Sequence, residues 1–142
     1  MSVPAPLQEI VDKFARAPRS LRLELLLEYA DALPALPEGW ADAKDRFEQV
    51  EECQTPLFLA TETQDGKVSL YFDAPPEAPT TRGFASILAH GLDGLPAEEV
   101  LAVPADFHRD LDLAELVSPL RLRGLEGMLG RVKRQVREAT PA

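Results

Sequence analysis

One side chain in this chain of 142 residues offers sulfur as a nucleophile: Cys53, the only cysteine, in the stretch EQVEECQTPLFL over residues 48–59. A solitary thiol has few chemistries open to it. It cannot close a disulfide within the chain or build a cysteine-rich zinc site. It can sit inert as a small hydrophobe, attack a carbonyl with a histidine as base, or exchange sulfur with another thiol through its thiolate. The hydrolytic option needs a base and an oxyanion site. His90 and His108 are the only histidines. His90, beside Gly91, reads as a residue at a helix C-terminus, His108 as a solvated one in a charged stretch, and nothing marks an oxyanion site. The immediate neighbours make the thiol quiet. An ordinary cysteine of pKa about 8.5 is only a few per cent ionised near neutrality, and Glu51 and Glu52, each at roughly 7 Å in water, add about 0.4 apiece to that value. A quiet thiol suits a carrier of sulfur, which must react only when docked, better than it suits a hydrolase.

The rest of the composition narrows the field. No glycine-rich phosphate loop is present, since Gly83, Gly91 and Gly94 are scattered, and no carboxylate pair has an apolar setting that would make it an acid and a base. The net charge of −9 argues against nucleic acid as the main partner. No apolar run approaches the roughly 20 residues that span a bilayer. The N-terminus, MSVPAPLQEIVDKF, lacks a basic segment followed by a long apolar one, so the expected compartment is the cytoplasm, where a thiol stays reduced. Six basic residues gather after Pro119 (Arg121, Arg123, Arg131, Lys133, Arg134 and Arg137) against Glu126 and Glu138. They form either the solvated face of a terminal helix or a docking surface for an acidic partner.

The elements that must position Cys53 follow from periodicity. Leu7, Ile10, Val11 and Phe14 mark one face of a short amphipathic helix over 7–16. A second helix follows Ser20, with Glu24 placed for a capping box, a stripe of Leu23, Leu26, Leu27, Ala30 and Leu33, and Pro34 as its stop. Residues 38–52 read as irregular, with a possible strand at Phe47–Val50; Trp40 and Phe47 are expected to cover the core near the cysteine loop. LFLATET (57–63) and KVSLYFD (67–73) alternate as strands around Asp65-Gly66, a favoured hairpin turn. A helix near 80–90 carries Phe84, Ile87 and Leu88 inward, Pro96 opens a short helical turn, Asp106 caps another through Leu111, and Ser118-Pro119 starts the longest helix, to about Glu138, with Leu122, Leu125, Leu129, Val132 and Val136 inward. This order implies a single α+β domain over 1–142, with frayed ends at about 1–5 and 139–142: a small antiparallel sheet of about three strands packed against several helices.

Four segments, in order, then resemble the SufE family of sulfur acceptors. They are the Leu33-Pro34-Ala35-Leu36-Pro37 connector after a leucine-rich helix; Val50-Glu51-Glu52-Cys53-Gln54, where the family has Val-x-Gly-Cys-Gln; Arg82-Gly83-Phe84 followed by Gly94-Leu95-Pro96-Ala97-Glu98-Glu99; and Ser118-Pro119-Leu120-Arg121-Leu122-Arg123-Gly124-Leu125. Glu52 stands where the family has glycine, Pro56 opens the following strand, and Arg123 replaces a frequent asparagine.

The resemblance implies a fold shared with the U-type cluster-assembly scaffolds and a role for Cys53 as a persulfide carrier. On that resemblance its partner is expected to be a PLP-dependent cysteine desulfurase (SufS-like), which the carrier would stimulate and which would hold the PLP, this chain itself being expected to bind no cofactor or metal. The recipient that the resemblance implies is an iron–sulfur cluster scaffold. Arg82 and Arg121 match family arginines and, with Glu51, Glu52 and Gln54, are the expected partner contacts. The competing readings are a cluster scaffold, which a single thiolate serves poorly, and an interaction module whose cysteine is inert.

Overall fold

The computed structural model describes residues 3–40, 44–53 and 55–139. Helix α1 (Ala5–Arg16) buries the four apolar residues that its periodicity names, Leu7, Ile10, Val11 and Phe14. Helix α2 (Arg19–Asp31) departs from its pattern. Leucines at 21, 23, 25, 26 and 27 surround the axis, so spacing alone cannot choose a face. The helix buries Leu26 and Ala30, half-buries Leu25 and Tyr29, and leaves Leu23 and Leu27 at 40% and 38% exposure. No capping box forms: Pro18 is the N-cap residue and no side chain caps the helix.

The sheet has three antiparallel strands in the order β1 (Glu48–Gln49), β2 (Phe58–Gln64), β3 (Lys67–Asp73). Asp65 and Gly66 join β2 to β3 with φ of 55° and 80°, the left-handed pair that a two-residue primed turn requires. The turn fixes the register, Gln64 opposite Lys67, and with it Leu59 opposite Phe72 and Thr61 opposite Leu70 on the inner face. On the outer face Trp40 stacks on Tyr71 at 3.9 Å, with Arg46 3.9 Å above its far side and Phe47 edge-on. Trp40 and Phe47 therefore cover the outer face of the sheet rather than the core by the cysteine loop.

Strand β1 covers only the first residues of β2, and helix α5 (Pro119–Ala139) takes over the exposed edge: the amide of Thr61 donates to Gln135 Oε1 at 2.9 Å and its hydroxyl to the same oxygen at 3.1 Å. An unpaired edge donor is thereby satisfied by a side chain. Helix α3 (Pro79–Leu92) lies in the middle of the molecule and is buried on nearly every side. Its approach to α2 depends on Gly83, where a Cβ would fall 2.7 Å from both the carbonyl oxygen and Cδ1 of Leu26. Helix α4 (Ala97–Leu101) and a 3-10 turn (Phe107–Leu111) complete the helical layer. Asp106 precedes that turn without capping it, and pairs instead with Arg109. Phe107, Leu111 and His108 point inward. His108 is buried, not solvated, and its Nε2 lies 2.6 Å from Glu126 on α5. The architecture is the expected α+β arrangement, with the helices gathered on the inner face of a small sheet.

Candidate functional site

Cys53 ends a 3-10 turn, Glu51–Cys53, between β1 and β2. Buried apolar residues flank the loop: Val50 before it and Leu57 after it are both 0% exposed. Their backbones pin its neck, the amide of Val50 donating to the Leu57 carbonyl at 2.9 Å, and the amide of Cys53 closes back on the Val50 carbonyl at 3.2 Å. Thr55 ties the far side to α3 through a 3.4 Å contact with the Thr81 hydroxyl. The sequence thus builds a short excursion from the sheet whose ends are held by the core and whose tip holds the thiol.

That tip lies against α5. The Cys53 Sγ–H points at the carbonyl of Gly124, 3.8 Å away. A Cβ at Gly124 would sit 3.1 Å from Sγ and 3.3 Å from the Cys53 Cα; a Cβ at Gly127 would sit 3.0 Å from the Glu52 carboxyl carbon. Two glycines one helical turn apart therefore form the bed on which Glu52 and Cys53 rest. Glycine costs a helix interior about 1 kcal/mol per residue relative to alanine, and here it admits a neighbouring backbone and a sulfur atom. The thiol is half-buried, neither sealed in the core nor held out at an exposed tip.

Electrostatics keep it protonated. Burial pushes the Cys53 thiol up to about 11; Glu52 adds to the rise and Arg131 opposes it. The carbonyl facing Sγ has the same sense, since it accepts a proton donor and repels a thiolate. Glu52 is held below the usual carboxylate range, first by its hydrogen bond with Arg131. The Arg131 guanidinium reaches Glu52 at 2.8 Å and Glu48 at 3.5 Å. Glu48 also pairs with Arg134 and accepts from Gln135 Nε2 at 3.0 Å.

The other expected contacts fall in different places. Arg82 donates to the carbonyl of Ala74 at 2.8 Å and ties the segment after β3 to α3. Arg121 donates to the Thr80 hydroxyl at 3.0 Å and joins the starts of α3 and α5. Glu51 is exposed beside the cysteine. Gln54 lies outside the described residues. Neither histidine is hydrogen-bonded to the thiol: His90 Nε2 donates to the Ala32 carbonyl and His108 engages Glu126. Among the described residues no cluster of three or more His, Cys, Asp or Glu side chains could hold a metal, and no helix is long and apolar enough to cross a membrane. Sequence reasoning missed Gly124, Gly127 and Arg131 as parts of the site. The available signal was glycine at 124, 127 and 130 within one helix, a spacing that helix propensity alone disfavours.

Comparison with known proteins identifies the family. An uncharacterized SufE-like protein of Mycobacterium tuberculosis is 57% identical over 139 residues, covering 97% of this chain and 96% of that protein. SufE-like protein 1, chloroplastic/mitochondrial, of Arabidopsis thaliana is 32% identical over 129 residues, 89% of this chain and 33% of the longer plant protein. The solution structure of a hypothetical protein from Thermus thermophilus superposes with a TM-score of 0.85 at 46% identity, over 96% of this chain and 97% of that one. Residues 8–136 match the Fe-S metabolism associated domain, and with that match the chain belongs to the SufE family.

Proposed function

We propose that Cys53 is a persulfide carrier that takes sulfur from a PLP-dependent cysteine desulfurase and hands it to an iron–sulfur cluster scaffold. The reading rests on one observation above the others: the chain's single thiol sits half-buried on a surface turn, seated on glycines and protonated. A general-base hydrolase would need the opposite, a thiol activated by a neighbouring base.

In the transfer step the Cys53 sulfur attacks the outer sulfur of a persulfide on the desulfurase. A new S–S bond forms to Cys53 and the S–S bond within the donor breaks. The electron pair leaves with the donor cysteine, which takes up the proton that Cys53 releases. A thiol and a persulfide give a persulfide and a thiol, so no external oxidant or reductant enters. This chain supplies the acceptor atom and its protection and does no turnover of its own; the PLP chemistry belongs to the partner. Arg82, Arg121, Glu51 and Gln54 remain candidates for the docking surface around the loop. Delivery to the scaffold repeats the same exchange with Cys53 as donor.

The test is mass spectrometry after incubation with a cysteine desulfurase, PLP and free cysteine. The expected product carries one added sulfur mapped to Cys53, and Cys53→Ser abolishes both that product and stimulation of the desulfurase while the protein remains folded. Stimulation undiminished in Cys53→Ser overturns the carrier mechanism. A thiol that resists labelling until the whole chain unfolds assigns Cys53 to the inert alternative.

A further inference from the structure

The turn that holds Cys53 is fastened by charge as well as by shape. Glu52 lies over Gly127, with its carboxylate between the helix backbone and the Arg131 guanidinium; Arg131 Nη1 is 2.8 Å from Oε1 and 3.1 Å from Oε2 of Glu52. The guanidinium is held in turn: the same Nη1 donates to the Gly127 carbonyl at 3.3 Å, and Nε faces Glu48 on β1 at 3.5 Å. Arg131 thus joins a fixed strand, a fixed helix and the residue next to the thiol. Its side chain is 21% exposed and that of Glu52 is 43% exposed, so solvent and other carboxylates can reach the pair.

Beside it runs a shallow groove of about 510 Å³ along α5, lined by Glu48, Glu52, Glu126, Arg123, Arg131 and Arg134. Its cations are unequally committed. Arg134 is paired with Glu48, and Arg131 is shared between Glu48 and Glu52. Arg123 is exposed and makes no ion pair with a described residue. An incoming carboxylate therefore finds a free guanidinium two helical turns from Arg131, in a groove that ends at the Cys53 turn.

We propose that Arg131 is the catch of a latch that holds the Cys53 turn onto α5 through Glu52, and that an acidic segment of the partner opens it by entering at Arg123 and taking the place of Glu52 on Arg131. The inference rests on the carrier reading for its purpose but not for its test, which needs no desulfurase and no persulfide. Arg131 is a positioning residue here, since it acts on the thiol through Glu52.

Two opposed effects make the test decisive. As a nearby cation, Arg131 favours the thiolate, so its removal on electrostatic grounds alone slows Cys53 at fixed pH. As a catch, it keeps the turn closed, so its removal speeds reaction in proportion to the open population. For a partly exposed charge-assisted pair the expected gain is about fivefold. The experiment follows labelling of Cys53 by a disulfide reagent at pH 8 and low ionic strength, in wild type and in Arg131→Gln, Arg131→Lys and Glu52→Gln. Arg131→Gln, in which the two effects oppose, is the deciding variant and is expected to react about fivefold faster; Glu52→Gln, which also removes a charge that disfavours the thiolate, is expected to react faster still, and Arg131→Lys close to wild type, with rates insensitive to low urea, as local opening requires. Poly-L-glutamate is expected to accelerate wild type and not Arg131→Gln, whereas poly-L-lysine accelerates neither. A rate in Arg131→Gln equal to or below wild type overturns the latch, as does acceleration that tracks global unfolding in urea. Failure of poly-L-glutamate to accelerate wild type overturns opening by an acidic partner. A working latch on a protein that gains no sulfur would leave this inference standing and remove the carrier reading.

Discussion

Replacing Gly124 with alanine tests the claim that a glycine bed silences Cys53. The new Cβ would stand 3.1 Å from Sγ, 3.3 Å from the Cys53 Cα and 3.7 Å from the Glu52 carbonyl oxygen. The first two separations are a few tenths of an ångström too tight, and the surface turn, rather than a 21-residue helix, must give way. The helix itself gains about 1 kcal/mol from the substitution, so the melting temperature is expected not to fall. Lifted from α5, the thiol regains water and its pKa descends from about 11 toward 9.0, close to that of a free thiol. Full release raises the thiolate fraction at pH 8 by about 100-fold, and the less basic thiolate is intrinsically about eightfold less nucleophilic toward a disulfide, leaving a net acceleration of about tenfold. The assay is the rate of exchange with a chromogenic disulfide from pH 7 to 11.5. Wild type should still be climbing at pH 10, with its inflection near 11, while Gly124→Ala inflects nearer 9. Stability follows the same linkage: a thiol pKa raised in the folded state contributes fully below 9.0 and is lost as pH rises through about 11, so wild type should lose stability across that window relative to the variant. A variant that exchanges at the wild-type rate with an unchanged inflection refutes the role given to Gly124.

Two further substitutions probe the frame that holds the turn. Gly83→Ala forces a methyl group against the Leu26 carbonyl at 2.7 Å, which no side-chain rotation relieves; a loss of about 2 kcal/mol is expected, read as a fall in Tm of about 6 °C. Gln135→Ala removes the acceptor of the Thr61 amide; a cost of about 1–2 kcal/mol is expected, with faster amide exchange at Thr61 than in the strand interior, and unchanged exchange there would show that water replaces the glutamine at no cost.

Local patterns carried the frame and left its contacts hidden. The hairpin was legible because Asp65-Gly66 demands positive φ and so sets the register of both strands. The core of α1 was legible because it has one apolar stripe, and that of α5 largely so, though Leu122 is only half-buried and Met128, outside the expected stripe, is fully buried; α2 was not, because its leucines surround the axis and only packing against Gly83 selects Leu26. His108 read as solvated because Arg109 and Asp110 follow it, yet the 3-10 turn sends those two outward and His108 inward with Phe107 and Leu111. Cys53 itself and the sense of its pKa came from its own neighbours, Glu51 and Glu52, but the larger cause, burial on α5, comes from a helix 71 positions away in the chain. The Arg131–Glu52 pair spans 79 positions. Periodicity and neighbour charge cannot report such separations.

The quietness of this thiol bears on how a carrier could be fast. Reaction from the closed turn is doubly suppressed, since the sulfur is half-buried and a carbonyl faces it. If Cys53 carries sulfur as proposed, transfer proceeds through the open population, and a partner that binds open and closed turns equally would gain nothing, however tightly it bound. A partner that prefers the open turn by a factor of about 10 raises the transfer-competent fraction by up to that factor, and about 1.4 kcal/mol of differential contact suffices. One carboxylate exchanged onto Arg131, with Glu52 freed into water, is of that order. On this reading protection and specificity share one cause: small disulfides and oxidants in solution cannot bid for Arg131, so they meet the closed form, while a partner that presents an acidic segment beside its own cysteine opens the turn where the acceptor is needed.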